Sequence, residues 1–192
     1  MRSTIILAAL GCLSLTACGR SPATTFLALE PIPPAATMPY AGPPVRVPFV
    51  HVPVTLDRPE FVQQVANTVM VSDFERWAAP LGRLARDTLI QDLQARLPTG
   101  TVLPPDAGAE RREIRVEATV LSFRVTGGEA VMEATYRAVR PKPPGATSMV
   151  AVPQPVTLRV AVASDEPAAQ AAAWSTLIGQ LADRIAADIA RN

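Results

Sequence analysis

Nine prolines fall between Gly19 and Pro53: Pro22, Pro31, Pro33, Pro34, Pro39, Pro43, Pro44, Pro48 and Pro53. Each ring fixes its own backbone and removes a hydrogen-bond donor, so no helix or central strand passes through the densest part of this stretch. The regular core therefore has to come from the residues that follow. Residues 18–44 read as an extended tether, several tens of ångströms long at about 3 Å per residue in a polyproline conformation. Within it, Phe26-Leu27-Ala28-Leu29 is short and apolar, and reads as an edge strand that docks where the domain begins.

Upstream of the prolines, Arg2 is followed by an apolar run from Ile5 to Leu15 and then by small residues ending in Cys18. That order is the order of a secretory signal. The run is shorter than the roughly 20 residues a membrane-spanning helix needs, so the segment is expected to be cleaved. Leu15-Thr16-Ala17-Cys18 reads as a lipobox, with Leu at minus three, Ala at minus one and the lipidated Cys at plus one. Cys12 lies inside the leader, which leaves Cys18 without a partner for a disulfide, and an unpaired secreted Cys asks for a reason. Lipidation supplies one, since two or three acyl chains hold a protein firmly to a membrane. The expected organisation is a signal peptide over 1–17, a lipidated Cys and Pro-rich tether over 18–44, and one folded domain over 45–192.

Charge excludes some partners. The chain has 18 Lys and Arg against 17 Asp and Glu, and loss of Arg2 with the leader balances them. No basic field is available for nucleic acid or for anionic membrane. With no disulfide framework, stability has to come from apolar packing.

The periodicities give an α/β domain: a mixed β-sheet of about five to six strands packed with two long helices, preceded by the tether. Val45 to Val54 alternates with the period of a strand, restricted to an edge or a bulged position by Pro48 and Pro53. Leu56-Asp57-Arg58-Pro59 is turn chemistry, because Asp bonds its own backbone and the residue before Pro avoids the helical region. Asn67 to Val71 reads as a strand. Ser72-Asp73-Phe74-Glu75 has the pattern of a capping box and predicts a helix running to Leu97, with Phe74, Trp77, Leu81, Ala85, Leu89 and Leu93 inward and Asp92 and Arg96 mainly elsewhere. Thr101 to Pro104 is a short strand candidate. Ile114 to Val125 alternates, with a slip after Leu121 that predicts a bulge. Gly127-Gly128 predicts a tight hairpin turn into a strand from Glu129 to Val139. Arg140 to Pro155 reads as a long loop, Val156 to Val162 as the last strand, and Asp165-Glu166-Pro167 as the opening of a final helix whose stripe contains Trp174, Leu177, Ile178, Leu181, Ile185 and Ile189.

Chemistry is sparse. There is no Gly-rich phosphate loop, no metal-ligand spacing and no Gly-x-Ser-x-Gly elbow. His51 is the single His and cannot by itself build a metal cage or a nucleophile and base pair. The expectation is a protein without catalytic residues, metal or cofactor, in which polar loops on a rigid scaffold make contact with partners. The loop Leu56, Asp57, Arg58 and Pro59 is the candidate for that contact.

Cys18 with its Pro-rich spacer, Leu56-Asp57-Arg58-Pro59-Glu60-Phe61-Val62, Phe74-Glu75-Arg76-Trp77-Ala78-Ala79-Pro80-Leu81 and the closing Leu181-Ala182-Asp183-Arg184-Ile185-Ala186 together resemble the PqiC/YmbA family of auxiliary lipoproteins of ABC-type transport systems. The resemblance implies a periplasmic α/β domain held by its lipid anchor at the outer membrane. It implies an MCE-domain protein and an inner-membrane ABC transporter or permease as partners, in the movement of phospholipid or other hydrophobic molecules between membranes and the upkeep of envelope integrity. It also implies a homo-oligomeric ring as an assembly open to the chain. Gly19 lacks the acidic signal for inner-membrane retention and so agrees with the outer membrane. The reading from another class is an envelope lipoprotein that regulates or carries out peptidoglycan or other envelope metabolism.

Overall fold

In a computed structural model of the protein, the described residues are 22–34, 36–65, 67–108, 112–141 and 151–191. The leader and Cys18 lie outside them. Among them, eight strands and two helices follow in chain order: β1 (Thr25–Leu27), β2 (Val45–Arg46), β3 (Val50–His51), β4 (Glu60–Val65), β5 (Thr68–Trp77), α1 (Leu81–Arg96), β6 (Ile114–Thr126), β7 (Glu129–Val139), β8 (Gln154–Ala161) and α2 (Pro167–Arg191). The class is the expected mixed α/β, with the strands divided between two sheets. One sheet has three strands in the order β1-β5-β4, and the other has five, β2-β6-β7-β8 with β3 also on β6.

The larger sheet grows from the β6–β7 hairpin. Gly127 and Gly128 take positive φ values of 61° and 78°, the conformation a two-residue turn of the hairpin type demands. The ladder shifts register between Val120 and Ser122, leaving Leu121 outward, so the slip in the apolar phase is a bulge. The strand expected over 45–54 is broken by Pro48 into β2 and β3, each of two residues and each parallel to β6. Thr101 to Pro104 contributes a single bridge, Val102 to Val45, in place of a strand.

α2 covers the larger sheet. Trp174 is buried and stacks on Phe123 with ring centroids 4.5 Å apart, in a core that also holds Met132, Leu177, Ile178 and Leu181. α1 packs against α2, and its Ala85, Leu89 and Leu93 are each fully buried. Burial of such side chains contributes about 1.5 to 3 kcal/mol apiece.

Two expectations need correction. No helix starts at Ser72: β5 runs on to Trp77, and α1 begins at Leu81 after Pro80. The capping-box groups do bond each other, since the Glu75 amide donates to Ser72 Oγ at 3.3 Å and Ser72 Oγ meets the Glu75 carboxylate. They close an irregularity in β5 instead, where the partners of β4 jump from Arg76 opposite Glu60 to Val71 opposite Val62. Asp92 and Arg96, expected on the outer face of α1, are 0% and 1% exposed.

Those two residues explain the course of the Pro-rich stretch. From Thr25 onward it lies against the domain. β1 pairs in parallel with the end of β5, Phe26 opposite Arg76 and Leu27 opposite Trp77, and Leu27 and Leu29 are buried. Asp92 Oδ1 accepts from the Ile32 amide at 2.7 Å, and Arg96 donates to the Ile32 carbonyl at 3.0 Å. Arg96 also reaches Asp183 Oδ1 on α2 at 2.5 Å, and its backbone carbonyl accepts from the Met38 amide at 2.7 Å. Gly179 makes room for this: a Cβ there would stand 2.9 Å from the Ile32 Cβ. A stretch rich in prolines has few amides of its own to satisfy, and the two helices supply partners for those it has. Burial pushes the Asp92 carboxyl up to about 6, against the lowering effects of the Ile32 amide and Arg96.

Candidate partner-binding site

Leu56, Asp57, Arg58 and Pro59 sit between β3 and β4, at the N-terminus of α1. The loop closes on Pro53, whose carbonyl accepts from the amides of Leu56 at 2.8 Å and Asp57 at 2.9 Å. Leu56 points inward and is buried, which pins the loop to the core. The other three side chains are exposed.

Asp57 has a definite task. Pro80, the N-cap of α1, offers no side-chain acceptor to the free amides of the first turn. Asp57 Oδ1 takes that place from across the loop, accepting from the Gly82 amide at 3.0 Å. The carboxylate also lies at the positive end of the helix dipole. A side chain at Gly82 would press on the Val50 carbonyl, 3.0 Å from its Cβ, so Gly82 lets the loop and β3 approach the helix. Arg58 stands beside Glu60, Nε to Oε2 at 3.4 Å, and the Pro59 carbonyl accepts from the Trp77 amide at 2.8 Å. The Glu60 carboxyl is held below its ordinary value, first by its own backbone amide and then by Arg58, with partial burial opposing them. The loop is thus fastened to a helix, to a strand and to the core, and presents Arg58 and Pro59 outward.

His51 is elsewhere, on β3, with its ring 4.4 Å from that of Phe49 and exposed beside Glu117, Tyr136 and Arg137. Among the described residues, no three His, Cys, Asp or Glu side chains gather as a metal would need, and no helix is long and apolar enough to cross a membrane. Gly82 belongs to the loop's setting and carries no sign of it in the sequence. Gly82 lies 25 residues from Asp57, and no local pattern joins them.

Known proteins agree with this fold. Residues 27–186 match the family model of the ABC-type transport auxiliary lipoprotein component. A search of curated proteins gives no match. Among solved structures, an uncharacterized protein superposes with a TM-score of 0.67 at 19% identity, over 88% of this chain and 99% of its own. Protein XCC0632 from Xanthomonas campestris, of the DUF330 family, does so with a TM-score of 0.64 at 14% identity, over 87% of this chain and 95% of its own. At such identities the superpositions speak for the fold, and the family match spans β1's last residue to the final turns of α2. The chain belongs to the PqiC/YmbA family, the auxiliary lipoprotein components of ABC-type transport.

Proposed function

We propose that the protein is a non-catalytic adaptor, lipid-anchored through Cys18 at the periplasmic face of the outer membrane. It joins an MCE-domain protein and its inner-membrane ABC transporter in moving phospholipid or other hydrophobic molecules, and in keeping the envelope intact. The observation that carries the reading is the family match over nearly the whole folded chain. Two features support it. The Leu56 to Pro59 loop is rigidly mounted and outward-facing, which suits a docking surface that loses little freedom on binding. A neutral chain also relies on shape more than on long-range attraction. Assembly into a homo-oligomeric ring, which would repeat the loop around a partner's tunnel, belongs to the same proposal.

The test is co-purification of the tagged lipoprotein from membranes, with identification of the proteins and lipids it carries. The expected result is an MCE-domain protein with ABC transporter subunits. Their absence from a membrane-extracted sample in which the tagged protein is intact would refute the proposal. Arg58→Glu, which sets a like charge beside Glu60 at an exposed position, should cut capture about tenfold with an unchanged melting curve. Asp57→Ala should instead destabilise the fold by about 1 kcal/mol through the lost cap.

A further inference from the structure

The three-stranded sheet carries an apolar surface that its folding does not use. Phe26 is 66% exposed, Met70 55%, Val69 and Val71 43% each and Phe74 40%. These are five of the nine large apolar side chains that stand exposed among the described residues, all on β1 and β5, with Val69 and Val71 on one face of the β4–β5 hairpin and Met70 on the other. Their mounting is firm: Gln63 Nε2 donates to the Asp165 carbonyl at 2.9 Å, and Met70 and Val71 border a groove closed by Asp165, Glu166 and Pro167 at the start of α2. Apolar side chains concentrated in this way mark a contact surface.

Chain length selects the occupant. Six residues, Gly19 to Thr24, separate Cys18 from Thr25, the first residue of β1. At about 3.5 Å per residue they span at most about 25 Å. The leash is this short because residues from Thr25 onward are already paired to β5. We propose that the three-stranded sheet enters the interfacial layer of the membrane that receives the lipid anchor with exposed apolar side chains of both its faces, Phe26, Val69, Met70, Val71 and Phe74. The inference rests on the lipidation of Cys18. The sheet contributes an apolar footprint, and the balanced charge of the mature chain makes the contact a matter of partition more than of attraction to anionic headgroups. The domain is thereby oriented on the bilayer, with the far end of α2 turned away. A helix of 25 residues is about 37 Å long, so Arg191 stands well clear of the groove at its start.

The test uses the mature lipoprotein purified from membranes and reconstituted in vesicles of phosphatidylethanolamine and phosphatidylglycerol. Cys12 leaves with the leader and lipidated Cys18 has no free thiol, so Met70→Cys gives a single site for an environment-sensitive fluorophore; Arg191→Cys is the control. Nitroxide-labelled lipids should quench the label at position 70 at least threefold more than at 191, and iodide should do the reverse. Equal lipid quenching at the two positions, in protein whose N-terminal peptide is acylated by mass spectrometry, would overturn the placement while the anchor stands. An unacylated N-terminal peptide would overturn the anchor and the placement together. Protection of position 70 from both quenchers in a protein that runs as an oligomer would give the surface to a second copy, and overturn the membrane contact. Val69→Cys repeats the measurement should the Met70 variant melt early.

Discussion

The two sheets spend similar residues in opposite ways. In the five-stranded sheet, Ile114, Val116, Ala118 and Val120 of β6 and Ala130, Met132 and Ala134 of β7 are at most 2% exposed beneath α2. In the three-stranded sheet only the base is buried: Phe61 and Trp77, with ring centroids 5.5 Å apart, together with Val62 and Leu27. Beyond that base, Val69, Met70 and Val71 stand in solvent. Apolar strand residues are therefore core where a helix covers them and surface where none does. The small sheet shares the hydrophobic core through that base, and polar contacts flank it: Asp57 to Gly82, Gln63 to Asp165, and Ile32 between Asp92 and Arg96.

If this contrast is right, substitutions should separate by sheet. The largest effect belongs under the five-stranded sheet: Trp174→Ala removes the ring stacked on Phe123 and should cost about 4 kcal/mol in urea unfolding. A loss below about 1 kcal/mol would break the comparison. An intermediate effect belongs to the polar contacts. Asp92 has a folded-state value of about 6 against an ordinary 3.8, so the folded protein binds the extra proton. Its contribution is present in full below about pH 4 and is lost as pH rises through about 6, a fall of about 3 kcal/mol. Asp92→Asn keeps an acceptor for the Ile32 amide and should flatten that part of the stability profile, as read by melting curves from about pH 4 to about pH 7.5. An unchanged slope would show that Asp92 does not titrate there. The smallest effect belongs to the uncovered strand: Met70→Ser should alter stability by no more than about 0.5 kcal/mol. A large loss would mean that the hairpin is core after all.

How much of this was legible in the sequence follows the distance between interacting residues. The β6–β7 hairpin, its bulge at Leu121 and the stripe of α2 are local patterns, and each appears where the periodicity puts it. The start of α1 was not legible, because the Glu75 amide donates to Ser72 Oγ inside a strand irregularity as it would at a helix end. Nor was the burial of Arg96. A charged residue beside a helical stripe is ordinarily solvated, and besides Asp92 one turn back it is Ile32, 64 residues away, and Asp183, 87 residues away, that make its burial tolerable. At the candidate site, the turn was readable from Asp57 and Pro59, whereas the role of Asp57 at the head of α1 depends on a fold that brings Gly82 to it.

The seating of Ile32 between the helices also has a mechanical side. Tension entering from the N-terminal side of Thr25 meets the three parallel register pairs of β1 with β5 first, loaded along the strand so that they share the strain. Behind them Ile32, wedged over Gly179 and held at both its amide and its carbonyl, acts as a stop. A pull on the leash is thus taken up by a strand and a peg at the rim of the molecule, while the Trp174 layer beneath α2 bears none of it until both have yielded.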